Sequence, residues 1–278
     1  MRESSHQRRI LIAWVVLTVI LLPIVIFAIA PNLPPGDATV ESHGQVVDNT
    51  VLLAVVTPIA AFLVVFFAYA LTNFRQRGPE IEEGPAIHGD HRVQVTWLVT
   101  TLVIVLGLAS YGTFRLFQTG AGGGQGADPI FTADVHKKDA LQVQVIAQQW
   151  EFTYRYPSYG GVETPHLVLP VNREVELHVT SLDVIHSFWA HALGVKADAN
   201  PGVDNVVYVK PQRIRNFEIR CAELCGLWHG HMFDKGQIVS DARFAAWIRG
   251  AQRFFGPATK ALPRYNQHYF PKPERRAG

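Results

Sequence analysis

Three stretches without a single charged residue occupy most of the first 115 positions: residues 10–30, 51–71 and 93–114. A helix rising ~1.5 Å per residue needs about 20 residues to cross a ~30 Å hydrocarbon layer. Each stretch is that long. A core helix of a water-soluble protein keeps a polar face, and none of the three has one. A chain built this way must place apolar helices in lipid before it can fold anything else. Its 25 basic and 23 acidic residues leave a net charge of only +2, which excludes nucleic-acid binding driven by charge.

The first stretch has two readings. Arg8 and Arg9 precede it and Ala28-Ile29-Ala30 closes it, which suits an export signal occupying residues 1–30 or an additional transmembrane helix. Its length favours the helix. Orientation follows from the flanks of the other two. Residues 31–50 contain Asp37, Glu41 and Asp48 but no Lys or Arg, whereas Arg75, Arg77 and Arg92 lie between the second and third stretches. Basic residues stay on the cytoplasmic side. Residues 31–118 are therefore expected to form a helical hairpin, with helices at about 51–73 and 94–117, and everything after Arg115 is expected on the outer face.

A glycine-rich run at 120–126 marks a linker over 119–133. Beyond it, in an expected outer domain of residues 134–250, the pattern changes to short runs rich in β-branched and aromatic residues: 141–147, 150–156, 174–180, 205–210 and 214–220. These read as strands of an antiparallel sandwich or barrel. Ser240 is placed to cap a closing helix to residue 250 that buries Phe244, Trp247 and Ile248. Residues 251–278 are basic and contain proline, and are expected to extend over a surface. The fold class expected is an N-terminal transmembrane helical hairpin, plus one extra hydrophobic helix or signal, followed by an all-β sandwich.

Chemistry concentrates in twelve residues. The only two cysteines stand in Cys221-Ala222-Glu223-Leu224-Cys225-Gly226-Leu227-Trp228-His229-Gly230-His231-Met232. Paired cysteines outside the cytoplasm ordinarily form a disulfide, but a bridge across three residues would close a very small loop and explain neither His229 nor Met232. Thiolate, thioether and imidazole together select copper, with zinc the next candidate. Two thiolates on one loop can each bridge two copper ions, and such a pair needs a second histidine from elsewhere. His186, between two strand-like runs, is the candidate. Alone it would read as a satisfied core histidine.

The string 221–232, the stretch Asp183-Val184-Ile185-His186-Ser187 and the stretch Leu193-Gly194-Val195-Lys196-Ala197-Asp198-Ala199-Asn200-Pro201-Gly202 resemble cytochrome c oxidase subunit II. The resemblance covers about residues 45–250. It implies a cupredoxin-like outer domain with a binuclear copper centre, called CuA. One copper would take His186 and Met232, the other His229 and the Glu223 carbonyl, with Cys221 and Cys225 bridging both. It further implies a magnesium ion on the Glu223 carboxylate at the contact with subunit I. The run Gln148-Gln149-Trp150-Glu151-Phe152-Thr153-Tyr154-Arg155-Tyr156 resembles the family segment whose first tryptophan accepts the electron from cytochrome c, a role that falls on Trp150. Read without the resemblance, Trp150, Phe152 and Tyr154 are one face of an ordinary strand. The implied partners are subunit I and other oxidase subunits, cytochrome c and the lipid bilayer. The implied location is the plasma (inner) membrane, spanned more than once, with the copper domain outside and dioxygen reduced to water in a proton-translocating complex.

Three positions depart from the family pattern. Gln94 stands before Trp97 where the family usually has a glutamate at the mouth of a proton channel, and glutamine cannot titrate. Leu182 precedes Asp183 where an acidic pair is usual, which weakens one contact expected to a basic cytochrome. The chain has no Cys-x-x-Cys-His string, so a separate molecule is expected to deliver the electrons. Gln94 also keeps a copper-containing nitric oxide reductase subunit in play, and the ligand set alone would serve a membrane-anchored copper carrier. A quinol oxidase subunit lacks such ligands. His191 and His231 are read as surface or supporting residues.

Overall fold

The computed structural model describes residues 2–75, 78, 89–119 and 139–261. The glycine run at 120–126, the expected start of the outer domain and residues 262–278 lie outside the described residues. Among the described residues, three helices are long and apolar enough to cross a membrane: α1 (Arg2–Ile24), continued by a π turn and a 3-10 turn to Asn32, α2 (Val40–Asn73) and α3 (His91–Thr119). The chain divides into two compact units, Met1–Leu33 with Val47–Arg115, and Pro34–Val46 with Leu116–Gly278.

In the first unit apolar side chains point outward. Val103 is 65% exposed and Val64 61%, the arrangement of a helix whose solvent is hydrocarbon. Several of its polar groups are paired across helices, since lipid offers no water to satisfy them. The Trp14 indole of α1 donates to the carbonyl of Pro58 in α2 at 2.7 Å, with the Trp14 ring edge-on to Phe62. His6 Nδ1 meets the Tyr69 hydroxyl at 2.7 Å. Asp48 joins α2 to α3, accepting from Tyr111 at 2.8 Å and from Arg115 at 2.7 Å.

The second unit is a sandwich of two five-stranded sheets. Its strands are β1 (Leu141–Gln148), β2 (Glu151–Tyr156), β3 (Val162–Thr164), β4 (Val168–Pro170), β5 (Val175–Ser181), β6 (His186–Ala190), β7 (Val195–Ala199), β8 (Asn205–Val209), β9 (Arg215–Cys221) and β10 (Phe233–Val239), closed by α4 (Asp241–Ala261). One sheet runs β3-β2-β1-β5-β8 and the other β4-β10-β9-β6-β7. Two pairings are parallel, β1 with β5 and β4 with β10, where a purely antiparallel sandwich was expected. The β2–β4 excursion between β1 and β5 supplies the long crossover that parallel pairing needs. Inward residues of both sheets, among them Leu141, Val145, Tyr154, Leu177, Phe188, Phe217 and Ile219, form one core with Phe244 and Ile248 of α4. Apolar helices followed by a cupredoxin-like sandwich is the architecture expected from the sequence.

Several elements differ from expectation. α2 starts at Val40 rather than near residue 51, because Thr39 and Ser42 cap it reciprocally, each side-chain oxygen accepting from the other's N–H at 2.9 Å, as in a capping box. That first turn is held to the sandwich: Thr39 Oγ1 donates to Leu193 O, Gln45 to Gly194 O, and Lys210 N to the Glu41 carboxylate. Gly194 is required there, since its φ is +72° and a Cβ would stand 2.9 Å from the Ser42 backbone. α4 runs past Gly250 to Ala261. Strands β3, β4, β6, β7 and β10 were not anticipated. β10 escapes pattern reading because its inward positions hold Asp234 and Gly236 before Ile238.

Candidate metal centre

The donor atoms come from three strand ends. Cys221 closes β9, Met232 immediately precedes β10, and Cys221 N donates to Met232 O at 3.0 Å, so the loop between them is pinned at its base. A 3-10 turn at His229–His231 folds the loop back, with Met232 N donating to His229 O. β6 lies beside β9, with Phe188 opposite Cys221. This places His186 next to the loop, as the first residue of β6 rather than between strands.

The two sulfurs are 3.7 Å apart and both cysteines are free. His186 Nδ1 lies 3.8 Å from Cys221 Sγ, and His229 Nδ1 3.5 Å from Cys225 Sγ. Met232 Sδ is 3.8 Å from Cys225 Sγ, and the Glu223 carbonyl oxygen 3.2 Å from Cys221 Sγ. His186, Cys221 and Cys225 offer donor atoms all within 4.8 Å of one another. His186 is fully buried, Met232 nearly so, and His229 half-buried. A metal–sulfur bond of ~2.3 Å with tetrahedral angles puts two sulfurs on one ion about 3.7 Å apart. The pair thus fits shared metal coordination rather than a disulfide.

Asp183 holds His186 from behind. Its Oδ1 is 2.9 Å from His186 Nε2, which leaves Nδ1 facing Cys221, the familiar way a carboxylate orients a ligating imidazole. Asp183 also accepts from Gln149 N at 2.7 Å and Val184 N at 2.6 Å. Burial would raise the Asp183 carboxyl, but these donors and His186 outweigh it and lower its pKa. Burial would likewise lower His186, yet hydrogen bonds to Cys221 and Asp183 raise it. Cys221 is brought down to about 6, burial being overcome by His186 and the surrounding N–H donors. Cys225 is pushed up to about 12 by burial and by its neighbour Cys221. The thiol pair therefore sheds its first proton readily and holds its second until a cation displaces it.

Trp150 precedes β2, and its indole Nε1 donates to Cys225 O at 3.1 Å. The Glu223 side chain is exposed, as are Leu224 and Leu227 of the same loop. His231 packs edge-on against Trp228, and His191 tilts against Trp189; both stand beside the ligand loop or strands without joining the donor cluster. Sequence reasoning missed Gln149 as a contact of the centre and treated Asp183 only as a docking acid. Gln149 carries no local signal, since its contacts lie 34 and 76 positions away, whereas Asp183 reaches His186 only three positions on.

Soft donors converging at one end of a cupredoxin-like sandwich, on a chain with helices apolar enough to span a membrane, define a class: a membrane protein with a donor cluster suited to copper. Comparison with known proteins narrows it. The family model described as cytochrome c oxidase subunit II, periplasmic domain, matches residues 162–239. The cytochrome c oxidase subunit 2 of Thermostichus vulcanus is 30% identical over 237 residues, covering 82% of this chain and 68% of that one. That of Bacillus subtilis (strain 168) is 27% identical over 269 residues, covering 89% and 73%. The crystal structure of the periplasmic domain of subunit II of cytochrome oxidase from Bradyrhizobium japonicum is 33% identical, covering 43% of this chain and 98% of that one with a TM-score of 0.41. The chain belongs to the cytochrome c oxidase subunit II family.

Proposed function

We propose that this chain is the electron-accepting subunit of a proton-translocating cytochrome c oxidase, taking electrons one at a time from cytochrome c into a binuclear copper centre and passing them to heme in subunit I, where dioxygen becomes water. The observation that carries the reading is the donor count. Two imidazoles, a thioether and a carbonyl surround the two cysteine sulfurs, six donors where a single tetrahedral ion takes four. Copper shared over two thiolates supplies a one-electron carrier whose geometry barely changes on reduction.

The protein's own residues do the rest. Cys221 and Cys225, with His186, Met232, His229 and the Glu223 carbonyl, would hold the copper. Asp183 fixes the His186 ring. Burial of the sulfurs excludes water, and Trp150, half-buried and bonded to the main chain of Cys225, is the first acceptor of the electron. The Glu223 carboxylate is free to hold magnesium against subunit I. Leu224 and Leu227, 78% and 84% exposed, present an apolar rim of the kind that partner subunits cover. α2 and α3 form the spanning hairpin, with the copper domain on the outer face of the plasma (inner) membrane, since basic residues flank the opposite ends.

The test is copper quantitation with electron paramagnetic resonance on the purified oxidase. Two coppers per chain and a seven-line hyperfine pattern from one shared electron are expected, and Cys221→Ser or Cys225→Ser should abolish the pattern. A four-line single-copper spectrum in the wild type would overturn the binuclear reading.

A further inference from the structure

Two residues that are neither ligands nor charged meet at the point where the β1–β2 turn touches the ligand loop. The Cys225 carbonyl accepts two hydrogen bonds, from Trp150 Nε1 at 3.1 Å and from Gln149 Nε2 at 2.9 Å, one for each of its lone pairs. Gly226, next in the chain, has φ +109°. A Cβ on it would stand 2.9 Å from Gln149 Nε2 and 3.4 Å from the indole Cζ2. Any other residue there is strained in its backbone and displaces the Gln149 amide. Gln149 is also tied at its main chain, its N–H donating to Asp183. The residue that introduces the indole is therefore anchored to both ligand-bearing segments.

We propose that Gln149 and Gly226 are positioning residues for electron uptake: Gly226 leaves the space, and Gln149 occupies it so that the Trp150 indole stays hydrogen-bonded to the main chain of Cys225. This rests on the reading above that Trp150 receives the electron. The path then has one hydrogen bond, from indole N–H to carbonyl oxygen, followed by the bonds of Cys225 itself to Sγ. One electron leaves ferrous cytochrome c, which becomes ferric, and the same electron arrives at the copper pair. No proton moves and no bond breaks. Without Gln149 the indole keeps a single tether and can rock away from its acceptor.

The experiment uses the intact oxidase with Gln149→Met, which keeps the length and loses the donor, and Gly226→Ala, with Trp150→Phe as reference. Reduction of the copper centre is followed after mixing with ferrous cytochrome c and, separately, with hexaammineruthenium(II), a small complex that needs no indole contact. Gln149→Met should slow the cytochrome reaction about fivefold, the worth of one neutral hydrogen bond, and leave the ruthenium reaction unchanged. Gly226→Ala should slow the cytochrome reaction about tenfold or more. In the metal-free full chain, the ultraviolet resonance Raman marker of the indole hydrogen bond, identified by its loss in Trp150→Phe, should shift towards a weaker bond in Gln149→Met. An unchanged cytochrome rate in Gln149→Met, an unshifted band, or equal slowing with both reductants would overturn the proposal. If Trp150→Phe itself leaves the cytochrome rate unchanged, the reading of Trp150 fails instead. Should Gly226→Ala not assemble, the exposed Gln149 still decides the question.

Discussion

The apolar helices and the sandwich use the same apolar residues in opposite directions. Along α3, Val103 and Leu102 are exposed, whereas in the sandwich Val143, Val145, Leu177 and Phe188 are sealed inside while Glu218 and Arg220 face outward. The difference teaches that exposure has no meaning until the solvent is named. An exposed valine on α3 sits in its preferred medium, while an exposed leucine on the copper loop awaits a partner. Polar groups follow the same division. The helices hold some of theirs in isolated contacts such as Trp14 with Pro58, and the sandwich holds a cluster of its buried ones around His178.

The comparison can be broken first in the cores. Phe188, fully buried and edge-on to Phe152, should lose about 3–5 kcal/mol of domain stability on Phe188→Ala, read as a lowered unfolding midpoint. Phe66→Ala on the outward side of α2 should leave that midpoint unchanged, and equal losses would contradict the two-solvent account. Next comes a matched pair. Val103 and Ile214 are 65% and 60% exposed. Val103→Asp should cost about 2.5–3.5 kcal/mol of insertion and deplete the chain from the membrane fraction, whereas Ile214→Asp should change stability by only about ±0.5 kcal/mol.

His178 sharpens the treatment of buried charge. It lies between Asp204 at 2.9 Å and Glu176 at 3.2 Å. Burial works against its charged form, but the two carboxylates overcome this and raise its pKa from 6.5 to about 9. A pKa raised on folding means a contribution present in full below the unfolded value and lost as pH rises through the folded one. The sandwich should therefore lose on the order of 2–3 kcal/mol between pH 6.5 and about 9, and His178→Gln should flatten that slope in denaturant midpoints measured across the range. The smallest effect belongs to Met232→Leu. A thioether tunes potential more than it retains metal, so a shifted reduction potential with copper still bound is expected, and loss of copper would contradict it.

How much of this could be read from the chain alone divides by distance along it. The helices were legible because twenty apolar residues in a row need no partner to declare themselves. The candidate donors Cys221, Cys225, His229 and Met232 were legible because they share one short loop, and the soft chemistry of the set pointed to copper before any fold was known. β1, β2, β5, β8 and β9 were legible through their β-branched and aromatic runs. β10 was not, since its inward side carries Asp234 and Gly236. The early start of α2 was hidden because capping by Thr39 and docking on Leu193 outweigh the polar composition of its first turns.

What only the tertiary structure decided lies between segments far apart. The sheet order sets β6 against β9, and with it the approach of His186 to a cysteine 35 positions later. It aims Trp150 at a carbonyl 75 positions away and brings the Gln149 N–H onto Asp183, 34 positions later. Local pattern and donor chemistry are properties of neighbouring residues and survive in the sequence. Register and convergence exist only after two sheets have closed on a common core, and no run of residues carries them by itself.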